Sequence, residues 1–211
     1  MFRQFLYRNF YTYYKKSGLA RLPKKRRYQK MDIALQGILS QTERDIRVVD
    51  IGCAHGSDFI QFAKENSRLD VYGIDIVDSR ASEDNFKFIQ ADAASIDVTD
   101  KYFDLVVSTG VLEHVEPISK LQDVIKEISR VSKSYCVIVP SLACIIEPHT
   151  LSLFWQLRDH NKKVGRSTLN YYSDEAWLQF DGFSGAKVQR FSYLPGISNL
   201  MIYKNDNAYI S

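Results

Sequence analysis

A turn of small residues directly follows an apolar, strand-like segment near residue 50. The stretch Val48-Val49-Asp50-Ile51 runs into Gly52-Cys53-Ala54-His55-Gly56. Residues with little or no Cβ let a backbone pass close to a bound nucleotide. Asp50, just before the turn, can accept a hydrogen bond from the ligand or brace the loop. The pattern therefore indicates a nucleotide site.

Two further acids stand at the ends of the next two strand-like segments. Asp75 ends Tyr72-Gly73-Ile74-Asp75, and Asp92 follows the strand-like segment 86–91. Carboxylates accept hydrogen bonds from hydroxyl and amine groups. The spacing of Asp50, Asp75 and Asp92 therefore suits one ligand that contains adenosine.

Strand-like and helix-like segments alternate between residues 28 and 140 and must position these acids. We predict strands over 46–51, 70–76, 86–91, 103–108 and 135–139, followed by an antiparallel hairpin of 187–193 and 199–204. We predict helices over 28–40, 57–65, 118–131, 151–157 and 174–180. Apolar strands that alternate with helices indicate an α/β fold with a doubly wound, mostly parallel, seven-stranded sheet and an antiparallel edge hairpin. Ligands of such sheets bind outside the carboxyl ends of the strands, where the three acids fall.

Two common nucleotide motifs do not fit this turn. The dinucleotide fingerprint needs glycine at three set positions, but this chain offers Gly52, Ala54 and Ser57, and its last glycine, Gly56, comes one residue early. A phosphate-binding loop needs Gly-Lys-Ser/Thr after the turn, and that is absent. The turn is therefore not well suited to a pyrophosphate.

The pattern Asp50-x-Gly52-x-Ala54-x-Gly56 resembles the first motif of class I S-adenosylmethionine-dependent methyltransferases. The resemblance covers about residues 45–140 and implies a Rossmann-like methyltransferase fold with S-adenosylmethionine as cofactor. It assigns the ribose hydroxyls to Asp75 and the adenine amine to Asp92. Many relatives have glycine at the position of Ala54 and a small residue at that of His55. The cofactor-binding residues that it implies are Asp50, Gly52, Ala54, His55, Gly56, Asp75, Ile76, Asp92, Ala93, Ser108 and Thr109.

A base helps transfer to a hydroxyl group, because the hydroxyl must lose its proton. His114, after the fourth strand, and His149, in Glu147-Pro148-His149-Thr150, are the candidates. Their ordinary pKa near 6.5 suits the task. In relatives the residue at His114 often serves as structural support, and that alternative stays open. The segment 147–155, with Tyr171 and Tyr172, lies where relatives cover the substrate, although these rings can equally pack on the sheet.

Several acceptors do not fit the sequence. Relatives that methylate amines of nucleic acids carry Asn/Asp-Pro-Pro-aromatic after the fourth strand, where this chain has Ser108-Thr109-Gly110-Val111. We find no Pro-Cys pair for attack on a pyrimidine, and no acid pair with asparagine for a metal site. We therefore predict O-methylation of a small molecule, a lipid precursor or a glycan, and argue against nucleic acid.

Charge is distributed unevenly along the 211 residues. The net charge is +3, yet residues 1–30 hold ten Lys or Arg, no acid and eight aromatic residues. We treat 1–30 as a basic aromatic arm and 31–211 as the methyltransferase domain. The arm can contact anionic membrane, glycan or RNA, or pack its rings on the body. Two alternatives for the whole chain follow: an RNA methyltransferase that uses the arm, or a non-catalytic subunit that binds the cofactor.

Composition indicates the compartment. Three cysteines form no CxxC pair and no even set, which is typical of free thiols in a reducing environment. No apolar run approaches the roughly 20 residues of a spanning helix. The N-terminus lacks the apolar core of a secretory signal. We predict a cytoplasmic protein, with peripheral membrane contact through the arm as an option.

Overall fold

A computed structural model describes residues 35–40, 42–54, 66–77, 86–145, 170–194 and 196–205. The seven strands are β1 (Ile46–Ile51), β2 (Leu69–Asp75), β3 (Phe86–Gln90), β4 (Phe103–Thr109), β5 (Ser132–Pro140), β6 (Lys187–Leu194) and β7 (Ile197–Lys204). The helices are α1 (Ile118–Val131) and the short α2 (Asp174–Trp177), with single 3₁₀ turns η1 (Leu112–His114) and η2 (Asp181–Phe183). Residues 35–39 are also helical.

The strands form one sheet in the order β3-β2-β1-β4-β5-β7-β6. Strands β1 to β5 are parallel, while β7 runs antiparallel to both β5 and β6. This confirms the predicted α/β class, the mostly parallel sheet and the hairpin at one edge. Strand order reverses between β1 and β4, so the switch point lies where the first predicted motif ends.

Alternation along the strands divides the core into two layers. Val49 and Ile51 of β1 pack on the side of α1, whereas Ile46 and Val48 pack on the opposite side. Strand side chains point alternately to the two faces, so an apolar strand must be covered on both. Helix α1 supplies one cover through its apolar stripe, which consists of Leu121, Val124, Ile125, Ile128 and Val131.

The predicted element bounds need small corrections. Strand β5 begins at Ser132, three residues before the predicted start, because its polar first residues are still paired with β4. The predicted helix 174–180 is helical only to Trp177, after which the chain turns into η2. The predicted helices 57–65 and 151–157, the arm 1–30, His55, Gly56 and His149 lie outside the described residues.

Within the described ranges, none of the helices is long and apolar enough to cross a membrane.

Candidate cofactor site at the carboxyl edge of the sheet

The loop after β1 folds back onto the end of β2. The amides of Gly52 and Cys53 both donate to the carbonyl of Ile74, at 2.7 Å and 3.3 Å. Gly52 has φ of 81° and Ala54 has φ of 48°, so both are in the left-handed region. The left-handed conformation is modestly strained for alanine, whereas it is unstrained for glycine. The loop is therefore held by the neighbouring strand rather than by its own turn.

Gly52 is required by a neighbouring loop as well as by its backbone angle. A Cβ at this position would lie 2.2 Å from Cγ2 of Val111 and 3.1 Å from its Cγ1. Val111 stands in the segment after β4, which pairs with β1 in the sheet. The loops that follow β1 and β4 are thus packed in direct contact.

Asp75 joins the loop after β1 to its own turn. Its Oδ2 accepts from the amide of Ala54 at 2.8 Å, and its Oδ1 accepts from the amide of Val77 at 3.0 Å. A carboxylate oxygen has two acceptor positions. One on each oxygen is used here, and the second remains for a donor such as a ribose hydroxyl.

The end of β2 is also tied to the start of the loop after β3. The amide of Ala91 donates to the carbonyl of Asp75 at 3.1 Å, and Nε2 of Gln90 donates to the carbonyl of Ile76 at 3.1 Å. Asp92 follows immediately, so the two acids stand on loops that are bonded to each other.

Asp92 is held by two donors. Its Oδ1 accepts from the amide of Ala94 at 3.0 Å, and its Oδ2 accepts from Nζ of Lys120 at 2.6 Å. The hydrogen bond from Lys120, assisted by the one from Ala94, lowers the pKa of the Asp92 carboxyl below its ordinary value. The group is therefore a carboxylate, an acceptor only, at neutral pH.

Ser108 and Asp50 lie deeper, between the strands. The hydroxyl of Ser108 is buried and donates to the carbonyl of Ile51 at 3.0 Å, which fastens β4 to the last residue of β1. Asp50 is half-buried and is paired in register with Gly73 and Val107. Ser108 thus has a structural contact, and its role at the cofactor stays a prediction.

Cys53 is enclosed behind the same loop. Burial, together with the negative charges of Asp50 and Asp75, raises the pKa of the Cys53 thiol to about 12. The group is a neutral thiol at physiological pH, so it packs as a small apolar residue and is no nucleophile.

A turn that carries His114 follows β4 and is held from outside by Asn170. The amide of Asn170 donates to the carbonyl of Glu113 at 2.7 Å. Its Nδ2 donates to the carbonyls of Leu112 at 3.0 Å and Val115 at 2.6 Å. Asn170 thereby binds three backbone carbonyls of this turn. The His114 side chain is exposed at the end of η1.

The half-buried ring of Tyr172 packs against the core residue Trp177. Tyr172 packs edge-on against Trp177 at 5.1 Å and against Phe180 at 5.6 Å between ring centroids. This supports the alternative that Tyr172 packs on the body of the protein rather than lining a pocket.

Exposed apolar side chains gather along this edge. Those of large size among the described residues are Ile76 and Val77 after β2, Ile118 at the start of α1, and Ile145 after β5. Each follows the carboxyl end of a parallel strand. Exposed apolar groups at one edge make that edge a candidate ligand surface.

The structure brings most of the predicted cofactor residues to one edge of the sheet and adds three residues that contact the loops carrying them. Asp50, Gly52, Ala54, Asp75, Ile76, Asp92, Ala93, Ser108 and Thr109 all lie at the carboxyl ends of β1 to β4 or in the loops that follow. The additions are Val111, Lys120 and Asn170. No spacing rule marks them, because each acts across the fold on a partner far away in the chain.

A family model described as a methyltransferase domain matches residues 8–179. The chain belongs to this family. The matched range includes most of the arm 1–30, and the domain boundary at residue 30 stays a prediction. No significant match was found among curated proteins. The family assignment confirms the resemblance drawn from the motifs and the predicted cofactor, S-adenosylmethionine.

Solved structures of methyltransferases share this fold at low identity. A S-adenosylmethionine-dependent methyltransferase of Methanosarcina mazei is 17% identical over 79% of this chain and 94% of its own, with a TM-score of 0.55. The 1,6-didemethyltoxoflavin-N1-methyltransferase of Burkholderia thailandensis, bound to its substrate and S-adenosylhomocysteine, is 14% identical over 92% of this chain and 88% of its own, with a TM-score of 0.54. The cyclase SpnF is 16% identical over 76% of this chain and 74% of its own, with a TM-score of 0.55. One fold thus carries more than one chemistry.

The described residues fit this cofactor. Asp75 and Asp92 keep acceptor positions for hydroxyl and amine donors. The exposed side chain of Ile76 directly follows Asp75 in the sequence. The described part of the loop after β1, residues 52–54, carries only small side chains.

Proposed function

We propose that this protein transfers the methyl group of S-adenosylmethionine to an oxygen of a small molecule, a lipid precursor or a glycan. The observation that carries the proposal is the joined set of loops after β1, β2, β3 and β4. Asp75 and Asp92 stand on two of these loops, the exposed Ile76 directly follows Asp75, and the exposed His114 stands on the turn after β4.

The protein's contribution is chiefly to bind and orient. When bound, the cofactor would supply a methyl group on a sulfonium. The sulfur of this sulfonium departs as a neutral thioether, which is a good leaving group. Asp75 accepts from the ribose hydroxyls, and Asp92 accepts from the adenine amine. Orientation of two reactants in a water-poor site accounts for most of the acceleration in such a displacement.

His114 is proposed to take the proton of the acceptor hydroxyl. Its side chain is exposed, and hydrogen bonds from Asn170 hold the backbone turn that carries it. His149 is the second candidate and lies outside the described residues. Replacement of the true base by alanine lowers turnover, expected at about 10²- to 10⁴-fold, with cofactor binding retained.

The apolar character of the edge favours a small or lipid-like acceptor. The relative from Burkholderia acts on a small heterocycle, which supports the same class for this chain, although that enzyme methylates nitrogen. The likeness to the cyclase SpnF supports a second candidate: a protein that keeps the cofactor fold and performs no methyl transfer.

Cofactor binding is tested by calorimetry with S-adenosylmethionine and S-adenosylhomocysteine. Wild-type protein is expected to bind both. Asp75→Asn is expected to weaken binding about 10- to 100-fold, since hydrogen bonds to a charged group are worth about 1.5–3 kcal/mol. Asp181→Asn is the matched control, because Asp181 is exposed and contacts only Lys126 among the ion pairs of the described residues. Absence of binding by the wild type contradicts the proposal.

Acceptor class is tested with methyl-labelled S-adenosylmethionine and fractionated cell extract. We expect label in the small-molecule, lipid or glycan fraction, and loss of that label with the variant of the true base. Label that is sensitive to ribonuclease supports the RNA alternative instead. Tight cofactor binding without label in any fraction supports the second candidate.

A further inference from the structure

The Asp92 carboxylate is fixed by a side chain from another layer of the fold. Lys120 stands in the first turn of α1, and its Nζ lies 2.6 Å from Oδ2 of Asp92. The amide of Ala94 donates to the other oxygen at 3.0 Å. One donor on each oxygen prevents the carboxylate from turning freely about its terminal bond.

No other described cation reaches this carboxylate. The remaining charged side chains of α1 that face the same loop are Glu127 and Arg130. They bind each other, and they bind the backbone of Ile96 and Val98 further along the loop. Lys120 is therefore the one cationic side chain among the described residues that holds Asp92, together with the backbone amide of Ala94.

The ion pair of Lys120 and Asp92 lies at the surface, where a ligand can reach the carboxylate. Lys120 and Asp92 are 38% and 41% exposed, so the pair faces the open edge rather than the core. A pair exposed to this degree adds little to the stability of the fold. An ordered, ionised acceptor, by contrast, improves binding of a donor, because the bond no longer requires the carboxylate to be ordered when the ligand arrives.

We propose that Lys120 is a positioning residue of the cofactor site, which orients the Asp92 carboxylate to accept a hydrogen bond from the exocyclic amine of adenine. This inference rests on the cofactor assignment of the proposed function. It adds a residue from α1 to a site otherwise built from the loops after the strands.

The test compares two ligands by calorimetry: S-adenosylhomocysteine, and its analogue with purine in place of adenine, which lacks the amine. Lys120→Met is expected to weaken binding of S-adenosylhomocysteine about three- to tenfold. It is expected to leave the affinity for the purine analogue unchanged. Lys120→Arg, which keeps a donor, is expected to stay within about threefold of wild type.

Lys126→Met is the matched control. Lys126 is on the same helix and makes an ion pair of 3.4 Å with Asp181, away from Asp92. It is expected to change neither affinity. The inference is overturned if Lys120→Met binds S-adenosylhomocysteine as wild type does. It is also overturned if both ligands weaken equally, because Lys120 would then support only the fold.

Failure of the inference and failure of the proposed function are separable. Wild-type protein that binds neither ligand overturns both. Wild-type protein that binds S-adenosylhomocysteine, together with a Lys120→Met variant that behaves identically, overturns the inference alone.

Discussion

Gly52→Ala tests whether the loops after β1 and β4 are packed as tightly as the structure indicates. The new methyl group would lie 2.2 Å from Cγ2 of Val111, on a backbone with φ of 81°. The left-handed backbone destabilises the variant by about 1–2 kcal/mol, and the steric overlap destabilises it by about 1–3 kcal/mol. The lower conformational entropy of the unfolded chain stabilises the folded state by about 0.4–1 kcal/mol. We expect a net loss near 3 kcal/mol in the free energy of unfolding.

Gly185→Ala separates the backbone term from the steric term. Gly185 has φ of 75°, close to that of Gly52, but a Cβ there meets nothing nearer than Nζ of Lys204 at 4.0 Å. The expected loss is therefore only about 1 kcal/mol. Val111→Ala, combined with Gly52→Ala, removes both γ-carbons that clash and is expected to restore about 1–2 kcal/mol relative to the sum of the single variants.

Urea unfolding, followed by tryptophan fluorescence, to which the buried Trp177 contributes, measures these differences by linear extrapolation. Calorimetry with S-adenosylhomocysteine adds a functional readout, since Gly52→Ala displaces a site loop and Gly185→Ala does not. Equal losses for the two glycine variants, or the absence of coupling between Gly52 and Val111, would refute the steric account.

Three further predictions follow from contacts of single residues. Burial opposes the ionisation of Asp104, but hydrogen bonds from Arg44 and Lys133 outweigh it and hold the pKa of this carboxyl well below its usual range. Asp104→Asn should therefore cost about 2 kcal/mol above pH 5, and the difference from wild type should shrink as the pH falls below about 4, in urea titrations at each pH. Asn170→Ala should cost about 1–2 kcal/mol through loss of the Nδ2 bonds to two carbonyls, and Asn170→Asp at least as much, because a carboxylate cannot donate; a smaller loss for the aspartate contradicts this. Ala54→Val should lower the melting temperature by the equivalent of about 1–2 kcal/mol, because a branched residue tolerates φ of 48° poorly, whereas Ala54→Gly should stay within about 0.5 kcal/mol; equal behaviour contradicts the backbone assignment.

The sequence by itself determined the order and type of the elements and the edge at which the site lies. Apolar strands that alternate with a periodic helix require a sheet covered on both faces, and the acids fall where each strand stops. The spacing of Asp50, Asp75 and Asp92 therefore predicts one site from the sequence alone. Periodicity and motif spacing depend on residues that are near one another in the chain, so they can be recognised in a single sequence.

Tertiary structure decided how those residues are held. Gly52 must be glycine partly because Val111 approaches it from another loop. Asp75 braces Ala54 across 21 residues of chain, and Lys120 reaches Asp92 across 28. Such contacts depend on strand order and helix orientation, which bring distant segments within 3 Å. No pattern of neighbouring residues encodes these distances, so the partners of the acids emerge only once the chain is folded.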